Sequence, residues 1–126
     1  KISATKLVRT IIADGCIINA EEITHSVIGI RTRIGKGSII TKCYVMGSDY
    51  YQTLEEIEKA SKPLTGIGEN CKITNAILDK NCFIGNNVMI NGGNHLADFE
   101  HKNYTIKEGI IVIKKNAVIE DNTIIG

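Results

Sequence analysis

The stretch that decides the fold reads Ile28-Gly29-Ile30-Arg31-Thr32-Arg33-Ile34-Gly35-Lys36-Gly37-Ser38-Ile39-Ile40, with an isoleucine at positions 28, 34 and 40. One apolar anchor every six residues fits neither the 3.6-residue period of a helix nor the two-residue alternation of a strand, and it is typical of a solenoid. The same spacing runs along most of the chain, with three steps of five residues. The predicted anchors are Ile12, Ile18, Ile23, Ile28, Ile34, Ile40, Met46, Ile67, Ile73, Leu78, Ile84, Ile90, Ile113, Ile119 and Ile125.

Three such steps make one turn of a triangular prism, so the pattern predicts an all-β fold, a single-stranded parallel β-helix of about five coils. Successive coils are expected to stack by parallel strand pairing about 4.8 Å apart. Glycine often follows the anchor, and we interpret it as a corner residue chosen for its backbone freedom. The glycines in question are Gly29, Gly35, Gly47, Gly68 and Gly85.

The composition agrees with a narrow aliphatic core. The chain has 126 residues, enough for one domain, and 43% are hydrophobic while only 5% are aromatic and none is tryptophan. A prism interior has room for one branched aliphatic side chain per corner and little room for rings. A β-sandwich is the alternative, and it is disfavoured because sandwiches lack a sustained six-residue register.

The register is interrupted at residues 47–66 and 91–112, and insertions in a solenoid loop out from its corners. The first insertion carries Tyr50, Tyr51, Leu54 and Ile57 among acidic residues, which predicts a short amphipathic helix stopped at Lys62-Pro63 and packed on a neighbour. The second insertion begins with glycines and continues with polar residues, which predicts a loop.

Charge and cysteine usage exclude several classes of partner. The net charge is +1 without a basic cluster, so we expect no nucleic-acid partner, and no apolar run reaches membrane length, so we expect no membrane partner. The N-terminus has no signal-peptide pattern. The cysteines lack metal-ligand spacing, so we interpret them as reduced core thiols and expect no metal site. They are Cys16, Cys43, Cys71 and Cys82.

One enzymatic alternative is a hexapeptide acyltransferase, because such enzymes use a histidine as general base. Here the strand-like segment Ile84–Ile90 is followed by His95 and Asp98 in a polar loop. A solvated loop histidine is the competing interpretation. Serine-hydrolase, dinucleotide-binding and metal-histidine motifs are absent from the sequence.

Counting anchors around the prism brings two lysines together. Leu78 and Ile113 are three anchors apart, so they share a face in successive coils if residues 91–112 hide no further repeat. Lys80 and Lys115 each lie two residues beyond, and are expected to stack about 5 Å apart. Like charges at that distance repel unless an anion bridges them or the side chains splay apart. The next column, Lys36, Glu69, Asn86 and Asp121, mixes charges and neutral groups.

Two segments carry a resemblance to a known family. Met46-Gly47-Ser48-Asp49-Tyr50-Tyr51 and Ile77-Leu78-Asp79-Lys80-Asn81 resemble the C-terminal left-handed β-helix domain of ADP-glucose pyrophosphorylase, also called glucose-1-phosphate adenylyltransferase. The similarity runs in order along nearly the whole chain, including both insertions. It implies a left-handed β-helix regulatory and oligomerisation domain over residues 1–126, with the N-terminal nucleotidyltransferase domain absent.

The resemblance also implies a function. The family transfers adenylyl from ATP to glucose 1-phosphate for glycogen or starch synthesis, using magnesium in the domain that this chain lacks, so we expect no catalytic residue and no cofactor here. Lys80 and Lys115 fall on the lysines that bind the activator 3-phosphoglycerate in plant-type members, with phosphate competing. Lys114 leaves a one-residue ambiguity, although alignment through Asn116-Ala117 favours Lys115.

The same resemblance implies the surroundings of the domain. Its partners are expected to be the catalytic domain and the other subunits of a homo- or hetero-tetramer, in the bacterial cytoplasm or in a plant plastid. The family's N-terminal arginines complete the effector site and are missing from this chain, so weak or undetectable effector binding is expected for the chain alone. Differences from the plant pattern at Cys82-Phe83 and at residues 94–102 leave the identity of the activator open.

Overall fold

A computed structural model describes residues 1–61 and 63–126. Their secondary structure is a series of short strands with a single short helix. In chain order the elements are β1 (Lys6–Val8), β2 (Ile11–Ile12), β3 (Ile17–Ile18), β4 (Glu22–Thr24), β5 (Val27–Ile28), β6 (Arg33–Ile34), β7 (Ile39–Val45), α1 (Leu54–Lys59), β8 (Gly66–Ile67), β9 (Lys72–Leu78), β10 (Phe83–Ile84), β11 (Met89–Asn91), β12 (Phe99–Glu100), β13 (Tyr104–Lys107), β14 (Ile110–Ile113), β15 (Val118–Ile119) and β16 (Ile124–Ile125).

The coiled strands form the faces of a three-sided prism. Face A is the parallel ladder β3-β6-β8-β10-β15. Face B stacks β1, β4, the first halves of β7 and β9, β11 and β16, also in parallel. Face C stacks β2, β5, the second halves of β7 and β9, and β14. Because every sequential step moves to the next face, the parallel β-helix predicted from the six-residue register is confirmed.

The predicted anchors form the interior. Ile18, Ile23, Ile28, Ile34 and Ile40 are fully buried, and the anchors of the later coils are almost as inaccessible. Each ladder pairs anchor with anchor, as in Ile40↔Ile73 and Ile73↔Ile90 on face B. The stacked aliphatic side chains therefore make one continuous core along the prism axis.

One predicted anchor is wrong. Met46 is 36% exposed, whereas its neighbour Val45 is 5% exposed and pairs with Leu78 and Ile28 on face C. The step from face B to face C spans five residues in each coil that lacks an insertion there, as in Ile40 to Val45 and in the five-residue step from Ile73 to Leu78. A uniform six-residue step therefore moves the anchor one position too far, onto the outside of the sheet.

The glycines after the anchors are also explained differently. Among those five, only Gly47 has a positive φ, of 95°. A Cβ on Gly35 would lie 2.7 Å from the Gly68 carbonyl, and one on Gly68 would lie 2.5 Å from the Gly85 carbonyl oxygen. Gly35, Gly68 and Gly85 stack directly above one another. Glycine is required at these three positions because the backbones of neighbouring coils approach too closely for a Cβ, and not because φ is positive.

The first insertion contains the predicted helix. In α1 the Thr53 hydroxyl accepts a hydrogen bond from the Glu56 N–H and the Glu56 carboxylate accepts one from the Thr53 N–H, which completes a capping box. None of the helix residues is fully buried, and Leu54 is 80% exposed. Ile57 is half-buried and lines the space between the helix and the prism, so the helix lies over the prism without being packed into its core. Lys62, which formed part of the predicted helix stop, lies outside the described residues.

The second insertion is not the predicted loop. β12 and β13 pair antiparallel, and β13 pairs antiparallel with β14, which itself joins face C through β9. The insertion therefore extends face C as a short antiparallel meander. Alternation in Tyr104-Thr105-Ile106-Lys107 was the available sequence signal, since Ile106 is 7% exposed.

All four cysteines are free and buried, as predicted. Desolvation raises the pKa of the Cys43 thiol to about 11 and is the main cause raising that of Cys82 to about 12. Within the described part of the chain no helix is long and apolar enough to cross a membrane.

Candidate functional site

The two predicted lysines occupy equivalent corners of neighbouring coils. Leu78 pairs with Ile113, so the insertion between them hides no additional coil. At the corner that follows, the Asn116 N–H donates a hydrogen bond of 3.0 Å to the Lys80 carbonyl. Lys80 and Lys115 therefore stand one strand spacing apart on the same edge of the prism, between faces C and A, as the column count predicts.

A carboxylate already faces this edge. Asp49, from the start of the first insertion, accepts a hydrogen bond of 2.9 Å at Oδ1 from Lys80 Nζ. Its Oδ2 accepts a second hydrogen bond of 3.1 Å from Asn81 Nδ2, and its N–H donates to Asn81 Oδ1 at 2.9 Å. Asp49 is thus held by both of its side-chain oxygens and by its backbone.

Both lysines act on the carboxylate of Asp49. The hydrogen bond from Lys80 lowers the pKa of Asp49 most, followed by the hydrogen bond from Asn81. The positive charges of Lys80 and then Lys115 lower this pKa further. Two ammonium groups therefore share the field of one carboxylate, and the cluster of Asp49, Lys80 and Lys115 keeps a net positive charge.

Asn81 fixes the geometry of this edge. Its φ is 60°, a left-handed conformation that asparagine tolerates better than most residues, and it is only 7% exposed. Its N–H donates to the Gly47 carbonyl at 3.1 Å, which ties the Lys80 corner to the coil on its other side. Because the asparagine is held on both sides, the lysines project from a rigid backbone.

The contacts of Lys114 and Lys115 differ. Lys114 Nζ forms an ion pair with Glu100 and donates to the His101 carbonyl at 2.8 Å, so it fastens the second insertion to the prism. Lys115 is exposed and makes neither a hydrogen bond nor an ion pair within residues 1–61 and 63–126. Of the two lysines, Lys115 is the one available to a ligand.

The neighbouring mixed column has a structural role. The Glu69 N–H donates to Asn86 Oδ1 at 2.9 Å, and the Asn86 N–H donates to Asp121 Oδ1 at 2.8 Å. Side chains of this column therefore satisfy backbone groups of the coil beside them. The lysine edge differs because its lysine side chains do not bond to the backbone of the neighbouring coil. Lys80 pairs with the carboxylate of Asp49, and among the described residues Lys115 has no carboxylate within hydrogen-bonding distance.

The alternative histidine site is not assembled. His95 is exposed, and Asp98 accepts hydrogen bonds from Lys107 Nζ at 3.2 Å and from the Glu108 N–H at 2.9 Å instead of from His95. A general base oriented by a carboxylate is therefore missing at this position. Across the two described ranges, no group of three or more His, Cys, Asp or Glu side chains is placed to hold a metal ion.

Comparison with known protein families decides the assignment. Residues 1–124 match the family described as the GLGC left-handed parallel beta-helix domain. The chain belongs to this family. Its left-handed β-helix fold and the resemblance to ADP-glucose pyrophosphorylase are thereby confirmed.

A plant relative of the GLGC β-helix domain is found among characterised proteins. The chain is 39% identical over 130 residues to the "Glucose-1-phosphate adenylyltransferase large subunit 1, chloroplastic/amyloplastic" of Zea mays. The match covers 99% of this chain and 25% of the maize protein. The chain therefore spans about a quarter of the length of that relative.

The stacking of the two lysines was predicted from the sequence, but the carboxylate that pairs with Lys80 was not. Asp49 lies 31 residues before Lys80, inside an interruption of the register, where column counting assigns no position. The signal that could have identified it is the Met46–Tyr51 segment, whose aspartate follows the corner glycine Gly47 by two residues.

Proposed function

We propose that this chain is the regulatory and assembly domain of a glucose-1-phosphate adenylyltransferase, which converts ATP and glucose 1-phosphate into ADP-glucose and pyrophosphate. The chain itself carries out no chemistry. The family membership and the name of the maize relative support this proposal. Magnesium and the reacting groups belong to the N-terminal catalytic domain of the same enzyme. The enzyme resides in a plastid if the source is a plant, and in the cytoplasm if it is a bacterium.

The effector site is the edge that carries Lys80 and Lys115, and the observation that supports it is that these two lysines occupy equivalent corners of neighbouring coils. A carboxylate within the chain occupies Lys80 and leaves Lys115 unpaired. An effector with a phosphate and a carboxylate, such as 3-phosphoglycerate, carries enough negative charge to engage both ammonium groups. Inorganic phosphate competes for the same groups because it offers the same oxyanion chemistry.

The assembly role rests on exposed apolar surface. On the outside of face C, Ile11, Val27 and Tyr44 stack in register and are 69%, 39% and 50% exposed. Exposed apolar patches of this kind mark surfaces that partners cover. The catalytic domain and the neighbouring subunits of a homo- or hetero-tetramer, whose contacts also take in α1, are the proposed partners.

The test uses the whole enzyme that contains this chain. Lys80→Gln and Lys115→Gln are each expected to raise the 3-phosphoglycerate concentration needed for half-maximal activation by about tenfold or more, since a hydrogen bond to a charged group contributes roughly 1.5–3 kcal/mol. Activity without effector should be unchanged. Lys72→Gln, which removes an exposed lysine from face B, is the matched control and should leave activation as it is.

Asp49→Asn separates an effector site from a purely structural ion pair. Removal of the internal counter-ion frees Lys80, so the activation curve should move to lower effector concentration. If Asp49→Asn weakened activation as much as Lys80→Gln does, the pair would be holding the corner together and the proposal would fail. Acetyl-CoA turnover by wild type and by His95→Ala tests the acyltransferase alternative, and neither protein should turn over.

A further inference from the structure

Residues 49–61, which we call the strap, lie on the prism without entering its core. The strap contains α1, and none of its residues is buried. Burial of apolar surface supplies most of the free energy that holds a segment in place, and segments that lack it open readily. The position of the strap on the prism must therefore depend mainly on its hydrogen bonds.

Asp49 provides most of these hydrogen bonds. Its N–H donates to Asn81 Oδ1 at 2.9 Å, and its carboxylate accepts from Asn81 Nδ2 at 3.1 Å and from Lys80 Nζ at 2.9 Å. The side chains of Lys80 and Asp49 are 39% and 48% exposed, so a ligand can reach the pair from solvent. The residue that fastens the strap is thus also the counter-ion of the lysine edge.

The other hydrogen bonds from the strap to described parts of the prism lie further along it. The Tyr51 hydroxyl donates to the Gly15 carbonyl at 2.7 Å, and Gln52 Oε1 accepts from the Thr65 N–H at 2.8 Å. Both precede α1, so the helix follows the part of the strap that these bonds and those of Asp49 hold. Release of Asp49 therefore loosens the helix as well.

The strap also shapes the surface of face A. Ile57 and Ala60 of the strap line a groove of about 1050 Å³, together with the stacked glycines Gly35, Gly68 and Gly85 of the prism. Because one wall of the groove belongs to the strap, movement of the strap changes the width of the groove. A local event at the lysine edge can in this way alter a surface on another side of the prism.

An oxyanion at the lysine edge competes with Asp49. The Lys80 ammonium group has three N–H donors, so it could bond to both, but the two negative groups would then lie within a few ångströms of each other and repel. We propose that an oxyanion bound at Lys80 and Lys115 displaces the Asp49 carboxylate and thereby releases the strap and α1 from the prism. This inference rests on the proposed effector site and adds the structural change that the site produces. The coupling is reciprocal, so contacts that fasten the strap weaken the binding of the anion.

Trypsin digestion of the chain tests the fastening by Asp49 without any ligand. Cleavage after Lys59, in the last turn of α1, requires the strap to open, because a protease binds an extended segment. Asp49→Ala removes both side-chain hydrogen bonds and should raise the rate of this cleavage about fivefold. Cleavage after Lys102, an exposed site in the second insertion, is the control within the same digest and should change less than about 1.5-fold. Equal cleavage after Lys59 in both proteins would overturn the proposal.

The reciprocal effect is measured in the whole enzyme that contains this chain. Tyr51→Phe removes the hydrogen bond to Gly15 and leaves Asp49 and both lysines in place. It should lower the 3-phosphoglycerate concentration for half-maximal activation about twofold to fivefold, because a looser strap yields Lys80 more readily. Tyr50→Phe is the matched control, since the Tyr50 hydroxyl makes no hydrogen bond with a described residue, and it should leave activation unchanged.

The outcomes separate the strap from the effector site. If Lys80→Gln weakens activation while Tyr51→Phe and Tyr50→Phe give the same curve, the effector site stands and release of the strap is refuted. A higher 3-phosphoglycerate requirement in Tyr51→Phe would also refute it, because the fastened strap would then be the form that binds the anion. If neither Lys80→Gln nor Lys115→Gln changes activation, the effector site itself is wrong, and the coupling to the strap is wrong with it.

Discussion

Alanine substitutions at Val45 and Met46 test the register of the prism at the position where a uniform six-residue repeat fails. Val45→Ala removes two methyl groups from a side chain that is 5% exposed. At about 0.8 kcal/mol for each buried carbon, the lost transfer free energy is about 1.6 kcal/mol, and the cavity left behind raises the total to about 2–3 kcal/mol. Met46 is 36% exposed on the outer surface, so Met46→Ala should change the free energy of unfolding by about 0.5 kcal/mol or less.

Urea unfolding monitored by far-ultraviolet circular dichroism measures the difference. With a urea dependence of about 2 kcal/mol per molar, Val45→Ala should lower the midpoint by about 1 M and Met46→Ala by less than about 0.3 M. The slopes of the two transitions should match that of the wild type. A midpoint for Met46→Ala as low as that for Val45→Ala would mean that the methionine fills the core, and the five-residue step between faces B and C would be refuted.

Gly68→Ala should lower the free energy of unfolding by about 1–3 kcal/mol, because its Cβ would lie 2.5 Å from the Gly85 carbonyl oxygen, whereas Gly93→Ala meets only the exposed His95 ring and should be nearly neutral in thermal melts. Burial raises the pKa of the Cys43 and Cys82 thiols, so both should stay protonated and resist alkylation at pH 8. The free energy of unfolding should decline as pH rises above 9.0, because the thiols then ionise in the unfolded chain but not in the folded one. The lysine hydrogen bond lowers the pKa of Asp49, so its carboxyl carbon should titrate in NMR below 3.8, and the stabilisation should be lost as pH falls through that midpoint.

Most of the fold could be predicted because every coil has the same packing requirement. Stacked parallel strands require a branched aliphatic residue at the same place in every coil, so the sequence repeats the structure directly, as at Ile34, Ile67 and Ile84 on face A. The error at Met46 arose because the step from Ile40 on face B to Val45 on face C is five residues long, whereas most of the other steps are six. Aligning whole coils, instead of counting constant steps, would have placed Val45 inside.

The insertions were harder to predict because they do not repeat. The meander from Phe99 to Ile113 is fixed by pairing with β9, a contact between distant parts of the chain that local pattern does not encode. The candidate site shows the same division. Lys80 and Lys115 lie on the repeating part and were predictable, whereas Asp49 lies in an insertion, so its position depends on where that segment returns to the prism.

The hydrogen bond from the Asn116 N–H to the Lys80 carbonyl fixes the distance between the two lysine corners, and so the spacing of the charges that a ligand meets there. It belongs to the ladder that spaces every coil at about 4.8 Å, so residues at equivalent corners can be separated only by whole multiples of that distance. A loop-based pocket can adjust continuously to a longer ligand, whereas this edge can do so only by moving a charge to another coil. The spacing of charged groups that it recognises is therefore set in discrete increments by the core.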